Sequence, residues 1–187
     1  MKADITLSNS LVYIYDLPIN IDNTSIALVN TQITNSPLLT SISSFVNITS
    51  GGRFNSFGAI LTQTSIASNV SPIVNIANTA NAVSSSSIQS TSFIYTSATN
   101  DTGTGGKVGI RFANSASAST YTLLNNFFQC VGSQSTNGSS NQFLVVQRTG
   151  SGNLALVIGN NQCVGATTHY FPNASGGYTK TALTVAT

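Results

Sequence analysis

Charged residues are the scarcest class in this chain. Asp, Lys and Arg make up 5% of the 187 residues, against roughly 25% in an ordinary soluble domain, and Glu is absent. Nucleic-acid binding needs a dense set of cations facing the phosphates, whereas six Lys and Arg residues are spread over the whole chain and the formal net charge is only +2. We therefore expect no nucleic-acid partner.

Long apolar runs are missing as well. The longest, at residues 11–15 and 154–158, fall far short of the roughly 20 residues that span a bilayer. Residues 1–6 contain no apolar segment after Lys2, so they do not predict a secretory signal peptide. The sequence predicts no membrane span, and it favours either a trimmed chain or a protein that is assembled in the cytoplasm and released.

Ser, Thr and Asn take the place of the missing charges, at about 39% of the chain. A hydrophobic content of 41% and a mean hydropathy of +0.18 still predict a folded core. We expect residues 1–187 to form a single all-β domain, with 1–10 a candidate N-terminal arm and 172–187 a candidate C-terminal cap or assembly strand. Because few charges keep copies apart, such a chain should self-associate.

Strands and turns dominate the local pattern. Residues 11–15, 92–96 and 143–146 are rich in β-branched and aromatic side chains over strand-like lengths. Glycine-containing segments such as Gly51-Gly52 separate the apolar stretches and indicate turns. Helix formers are scarce, so the pattern predicts an all-β domain.

An internal repeat is the most informative feature. Residues 123–132 return as residues 156–165, and Gln-Cys-Val-Gly recurs unchanged after 33 positions. A weaker echo links residues 27–34 with 60–67 at the same offset. Repeats of strand and turn character predict stacked coils, in which neighbouring coils build one core.

The repeat favours a parallel β-solenoid. Over residues 11–170 the pattern resembles right-handed parallel β-helix proteins in general, and Asn, Ser and Thr at the bends could form ladders between coils. An antiparallel jelly roll or β-sandwich is the alternative, because it also has short strands separated by Gly and Asn turns.

Two cysteines bear on this choice. Cys130 and Cys163 hold equivalent places in the repeated Gln-Cys-Val-Gly, so adjacent coils would stack them about 4.8 Å apart, within disulfide range. They are candidates for a disulfide or for two stacked, buried thiols, and burial as free thiols is the simpler interpretation.

Candidate catalytic groups are few and dispersed. The carboxylates are Asp4, Asp16, Asp22 and Asp101, and acid-base chemistry needs paired groups. Asp101 could meet Arg111, and His169 could pair with Cys163, but a solvated turn and a strand-end histidine are the simpler interpretations. The glycine-rich segment 103–107 lacks the end of a phosphate-binding loop. We expect no catalytic site, no cofactor and no metal.

Three function classes stay open. The leading hypothesis is a non-enzymatic structural protein of an external assembly, on a virion surface or in an extracellular filament, whose partners are its own copies and other structural proteins. The second is a carbohydrate-binding or carbohydrate-active β-helix module that contacts surface glycans. Its sugar-stacking candidates are the six tyrosines: Tyr13, Tyr15, Tyr95, Tyr121, Tyr170 and Tyr178. The third is an ice-binding surface, which ranks last because no regular Thr-x-Thr array occurs.

Overall fold

A computed structural model describes ten segments of the chain. These are residues 4–14, 19–35, 44–65, 72–77, 85–97, 107–112, 119–132, 143–148, 154–164 and 184–185. All of the regular secondary structure in these segments is β-strand, and they contain no helix. The all-β prediction is confirmed.

Eighteen strands follow one another in the described segments. They are β1 (Ile5–Ser8), β2 (Leu11–Ile14), β3 (Ile19–Asp22), β4 (Ser25–Val29), β5 (Gln32–Asn35), β6 (Val46–Thr49), β7 (Arg53–Phe57), β8 (Ile60–Ser65), β9 (Val74–Ala77), β10 (Ser85–Gln89), β11 (Ser92–Ser97), β12 (Lys107–Phe112), β13 (Ser119–Leu124), β14 (Phe127–Gly132), β15 (Phe143–Arg148), β16 (Leu154–Gly159), β17 (Gln162–Val164) and β18 (Thr184–Val185).

Three parallel sheets collect every third strand. Sheet 1 has the order β1-β4-β7-β10-β13-β16, sheet 2 runs β2-β5-β8-β11-β14-β17-β18, and sheet 3 runs β3-β6-β9-β12-β15. Three successive strands therefore make one coil, and coil 1 (β1 to β3) is followed by coils that stack on it in order. This is the arrangement of a parallel β-solenoid rather than of an antiparallel jelly roll or sandwich.

The coils lengthen along the chain. In sheet 1, partners in neighbouring strands are 21 residues apart at Ile5 and Ile26, 28 apart at Ile26 and Phe54, and 35 apart at Ser119 and Leu154. The stack thus has no fixed repeat length, because the segments that connect the strands differ in length while the strands keep their register.

The corner from sheet 1 to sheet 2 is constant. Two residues separate the strands in each of the six coils, and the first of the two has a φ between 47° and 65°. This left-handed conformation suits Gly and Asn. The six corner pairs are Asn9-Ser10, Asn30-Thr31, Gly58-Ala59, Ser90-Thr91, Asn125-Asn126 and Asn160-Asn161.

Like side chains stack inside the three sheets. Val46, Val74 and Ile110 form one inward column of sheet 3, and all three are fully buried. In sheet 2, the rings of Phe93 and Phe128 stack with centroids 4.9 Å apart and planes 8° from parallel. Each coil buries its apolar face against its neighbours, as expected for a solenoid.

Candidate interaction surfaces

Buried threonine hydroxyls lie at the corner between sheets 1 and 2 in two of the earlier coils. Thr31 and Thr91 are fully buried second corner residues. The Thr91 hydroxyl donates to the carbonyl oxygen of Gln89 at 2.9 Å, and Thr31 donates to the carbonyl oxygen of Leu7 in the preceding coil at 2.8 Å. A short hydroxyl side chain can thus satisfy polar backbone groups at the turn without adding charge.

Buried asparagines occupy the same corner position in the two coils that follow Thr91. The Asn126 Oδ1 accepts from the backbone N–H of Thr91 at 3.0 Å, and its Nδ2 donates to the carbonyl oxygen of Ile88 at 2.9 Å. One coil later, Asn161 repeats both bonds to Asn126 N–H and the Leu123 carbonyl at 2.9 Å each. Each amide therefore satisfies a donor and an acceptor of the coil before it. We call Asn126 and Asn161, with these hydrogen bonds, the corner ladder.

The outer face of sheet 1 is mostly neutral, and the exposed Arg53 of β7 lies on it beside Asn55. Two outward columns contain no charged side chain. Phe57 and Val157 stand out on this face with 56% and 52% of their surface exposed. The columns are Thr6, Ala27, Asn55, Ser87, Thr122 and Val157, and Ser8, Val29, Phe57, Gln89, Leu124 and Gly159.

A shallow depression of about 170 Å³ lies on this face, beside the Phe57 ring. Its polar lining is already organised, because the Asn55 Oδ1 accepts from the Ser87 N–H at 3.0 Å and the Gln89 amide donates to the Ser87 hydroxyl at 2.7 Å. Hydroxyl and amide groups beside an exposed ring provide neutral hydrogen-bonding partners and an apolar contact surface.

An outer ladder of amides runs along sheet 3. The Asn47 amide donates to the Asn20 Oδ1 at 3.2 Å, and the Asn75 amide donates to the Asn47 Oδ1 at 2.8 Å. Arg111 is the next partner of Asn75 in register, and burial lowers the pKa of its guanidinium. Unlike the corner ladder, this column connects side chains to one another.

Coil 1 is the first coil of the stack in the described residues. Its three strands are the terminal members of their sheets. Ile5 occupies the inward position that Ile26 fills in coil 2, yet 44% of Ile5 is exposed while Ile26 is fully buried. Leu11 and Tyr13 are 58% and 55% exposed. Coil 1 therefore holds three of the five exposed large hydrophobic side chains among the described residues.

The described carboxylates serve neighbouring coils. Asp4 Oδ1 accepts hydrogen bonds from the hydroxyl and backbone N–H of Ser25, and Asp22 accepts one from the Thr49 hydroxyl at 3.1 Å. Asp16, Asp101 and His169 lie outside the described residues, so the suggested pairs of Asp101 with Arg111 and of His169 with Cys163 stay untested. Within the described residues, no three His, Cys, Asp or Glu side chains gather to hold a metal.

The cysteines differ from the expected register by two residues. Cys163 pairs with Phe128 in sheet 2, and Cys130 pairs with Tyr95. The strands of these two coils pair with an offset of 35 residues, which aligns Asn126 with Asn161. The Gln-Cys-Val-Gly repeat has an offset of 33 residues, so it does not follow the coils. The side chains of Cys130 and Cys163 are not described, and their disulfide or thiol state stays a prediction.

The tyrosines are divided between the core and the surface. Tyr95 and Tyr121 are fully buried, and the Tyr121 ring packs on Phe112 with centroids 4.4 Å apart. The expectation that these two could stack on sugars is therefore wrong, because their rings fill the interior. Tyr13 is exposed, and Tyr15, Tyr170 and Tyr178 lie outside the described segments.

Comparison with known proteins gives no relative: no family model, curated protein or solved structure matches this chain. The described segments contain no helix that is long and apolar enough to cross a bilayer. Sequence patterns missed the exposed Phe57, because apolar composition does not show which face of a strand is buried. The six corner pairs were a usable signal for the register.

Proposed function

We propose that this chain is a non-enzymatic structural subunit of an external assembly, such as a virion surface or an extracellular filament. The observation that carries the proposal is the outer face of sheet 1. Two columns of neutral side chains cross six coils there, with Phe57 and Val157 exposed among them. Regular neutral columns with exposed apolar groups suit packing against copies and other structural proteins.

The hydrogen bonds between coils support a structural role. Parallel strand pairs, the corner ladder and the outer ladder all connect one coil to the next. Asp4 and Asp22 also bond across coils, to Ser25 and Thr49. These two carboxylates thus strengthen the stack, while the two columns that we assign to assembly are neutral.

Sedimentation velocity over a range of protein concentrations tests this assignment. We expect oligomers that grow with concentration and change little between low and high salt, because neutral contacts are not screened. The variant Phe57→Lys/Val157→Lys should reduce association, whereas Gln32→Lys, which adds charge on sheet 2, should not. A monomer at all concentrations, or equal effects of both variants, would contradict the proposal.

The depression beside Phe57 favours carbohydrate binding as a second candidate function. The Phe57 ring is exposed, and hydrogen-bonding groups beside it come from Asn55, Ser87 and Gln89. Glycan-array binding that is lost in Phe57→Ala and kept in Val157→Ala would favour this function. Binding that is equal in both variants would place any glycan site elsewhere.

A further inference from the structure

We infer that the depression beside Phe57 holds one ring of an acidic glycan, and that Arg53 pairs with the carboxylate of a neighbouring sugar. The inference rests on carbohydrate binding, the second candidate function, and deepens it by naming the class of sugar. The site consists of the outward side chains of β7, with Ser87 and Gln89 of β10 beside them. We call it the β7 site.

One strand brings a cation, an amide and an aromatic ring to the same face. Phe54 and Ser56 of β7 are buried, and the three residues that alternate with them face outward. These are Arg53, Asn55 and Phe57. Because a strand rises about 3.3 Å per residue, Arg53 and Phe57 lie about 13 Å apart along β7, with Asn55 midway. This length exceeds that of a single sugar ring and suits a short oligosaccharide.

The depression gives the position of one sugar ring. It holds about 170 Å³, whereas pockets for drug-sized ligands hold roughly 300–1,000 Å³. Ala27 and Val29 of β4 line one side of it, and Ser87 and Gln89 of β10 line the other. The Phe57 ring, 56% exposed, lies between them. A sugar ring has an apolar face and a rim of hydroxyl groups, so one ring can pack on Phe57 and bond to the polar side.

The groups that the β7 site leaves for a ligand are mostly donors. The Asn55 Oδ1 accepts from the Ser87 N–H at 3.0 Å, so the Asn55 Nδ2 remains to donate. The Ser87 hydroxyl oxygen accepts from the Gln89 amide at 2.7 Å, so its proton remains to donate as well. Of these three side chains, Gln89 alone keeps an amide oxygen that can accept. With the guanidinium of Arg53 beside them, these donors favour a ligand that is rich in acceptors and negatively charged.

Arg53 supplies the selectivity for an acidic sugar. It is exposed, and it is the one cation in the described strands of sheet 1. Asp4 lies on the same face, but Ser25 stands between it and Arg53 in the register, and the Asp4 Oδ1 accepts hydrogen bonds from Ser25. A guanidinium is a planar fork that binds a carboxylate through two parallel hydrogen bonds. A single cation suits one carboxylate of a sugar rather than a polyanion, which needs several.

A glycan array that carries acidic oligosaccharides beside their neutral counterparts tests the inference. The acidic members contain sialic or uronic acid, and the counterparts lack the sialic acid or carry methyl-esterified carboxyl groups. We expect the full chain to bind acidic members at least about tenfold more tightly, because hydrogen bonds between charged groups are stronger than neutral ones. Equal binding within the pairs would overturn the inference and leave carbohydrate binding in place. Absence of binding to every member would contradict both.

Charge variants show whether Arg53 is responsible. Arg53→Gln should lower the affinity for acidic members about tenfold and leave the affinity for neutral members unchanged. The matched control Arg53→Gln/Gln32→Arg restores the net charge on the outer face of sheet 2, where Gln32 is exposed, and should not restore the preference. Phe57→Ala should weaken binding of acidic and neutral members alike.

The same variants separate this inference from the proposed structural role. An acidic preference that survives in Arg53→Gln, or returns in Arg53→Gln/Gln32→Arg, would overturn the inference, because net charge rather than the β7 site would then account for it. Sedimentation of Arg53→Gln should match that of the parent chain, since the assembly columns are neutral. The array therefore tests the acidic sugar, and self-association keeps its own test.

Discussion

Two regions of the stack bury an amide side chain with opposite results. At the corner between sheets 1 and 2, Asn126 is 1% exposed and both ends of its amide are hydrogen-bonded to the preceding coil. Inside sheet 2, Gln63 is also 1% exposed, yet neither its Nε2 nor its Oε1 has a hydrogen-bond partner among the described residues. The same functional group therefore satisfies the backbone in one place and lacks partners in the other.

The difference follows from what the backbone offers. A two-residue corner turns some N–H and C=O groups away from the ladder, and these groups need partners. Asn126 lies where Thr91 N–H and the Ile88 carbonyl are available. Gln63 lies within β8, between paired strands on both sides, where the backbone groups already bond to each other. A buried amide therefore stabilises this fold at the corner, and costs stability at Gln63 within β8.

Removing the corner amide should have the largest effect. Asn126→Ala leaves a buried N–H and a buried C=O without partners, so we expect the free energy of unfolding to fall by about 2–5 kcal/mol. Asn126→Thr is the matched control, because Thr91 holds the equivalent place one coil earlier, and its loss should be smaller. Urea unfolding measures both, and equal stability of Asn126→Ala and the parent would show that the corner ladder is dispensable.

Replacing the buried glutamine should act in the opposite direction. Gln63→Met keeps a similar volume and removes two polar groups that lack partners, so we expect a gain of about 1–2 kcal/mol in the free energy of unfolding. Thermal and urea unfolding of the variant provide the measurement. A loss of stability would mean that Gln63 makes a hydrogen bond in solution, for example to a buried water.

The outer ladder on sheet 3 should be the least sensitive. Asn47→Ala removes the hydrogen bonds to Asn20 and Asn75, but Asn20 is exposed and can bond to water instead. We expect a loss of no more than about 1 kcal/mol. Urea unfolding of Asn47→Ala and Asn126→Ala compares how much each ladder contributes to the free energy of unfolding. A loss in Asn47→Ala as large as that in Asn126→Ala would remove the distinction between the two ladders.

Much of the fold could be predicted from composition and repetition. Strand-rich segments separated by turns predicted an all-β chain, and the recurring unit predicted stacked coils. The register could not be taken from the longest identity, since Gln-Cys-Val-Gly recurs after 33 residues, whereas Phe127 pairs with Gln162, 35 residues later. The recurring Asn-Asn pair at Asn125 and Asn160 has the correct spacing, because the corner geometry requires a residue that tolerates positive φ.

The candidate surfaces were less predictable than the fold. Neutral ladders between coils were expected in general, but the sequence could not assign Asn126 to the inside and Asn47 to the outside. Tyr95 and Tyr121 were candidates for stacking on sugars at the surface, and they instead fill the core. Which face of a strand is buried depends on the register, and the register depends on loops of unequal length.

The in-register parallel stack is the basis of every ladder and surface described above, and a designed disulfide tests it most directly. In a background with Cys130→Ala and Cys163→Ala, Asn55→Cys/Ser87→Cys places two thiols on partner residues of sheet 1. Partners in neighbouring strands lie about 4.8 Å apart, which permits a disulfide, whereas residues offset by two lie too far apart. The stack predicts an intramolecular disulfide in this variant and none in Asn55→Cys/Gln89→Cys. Equal bridging in both variants, or bridging only in the second, would contradict it.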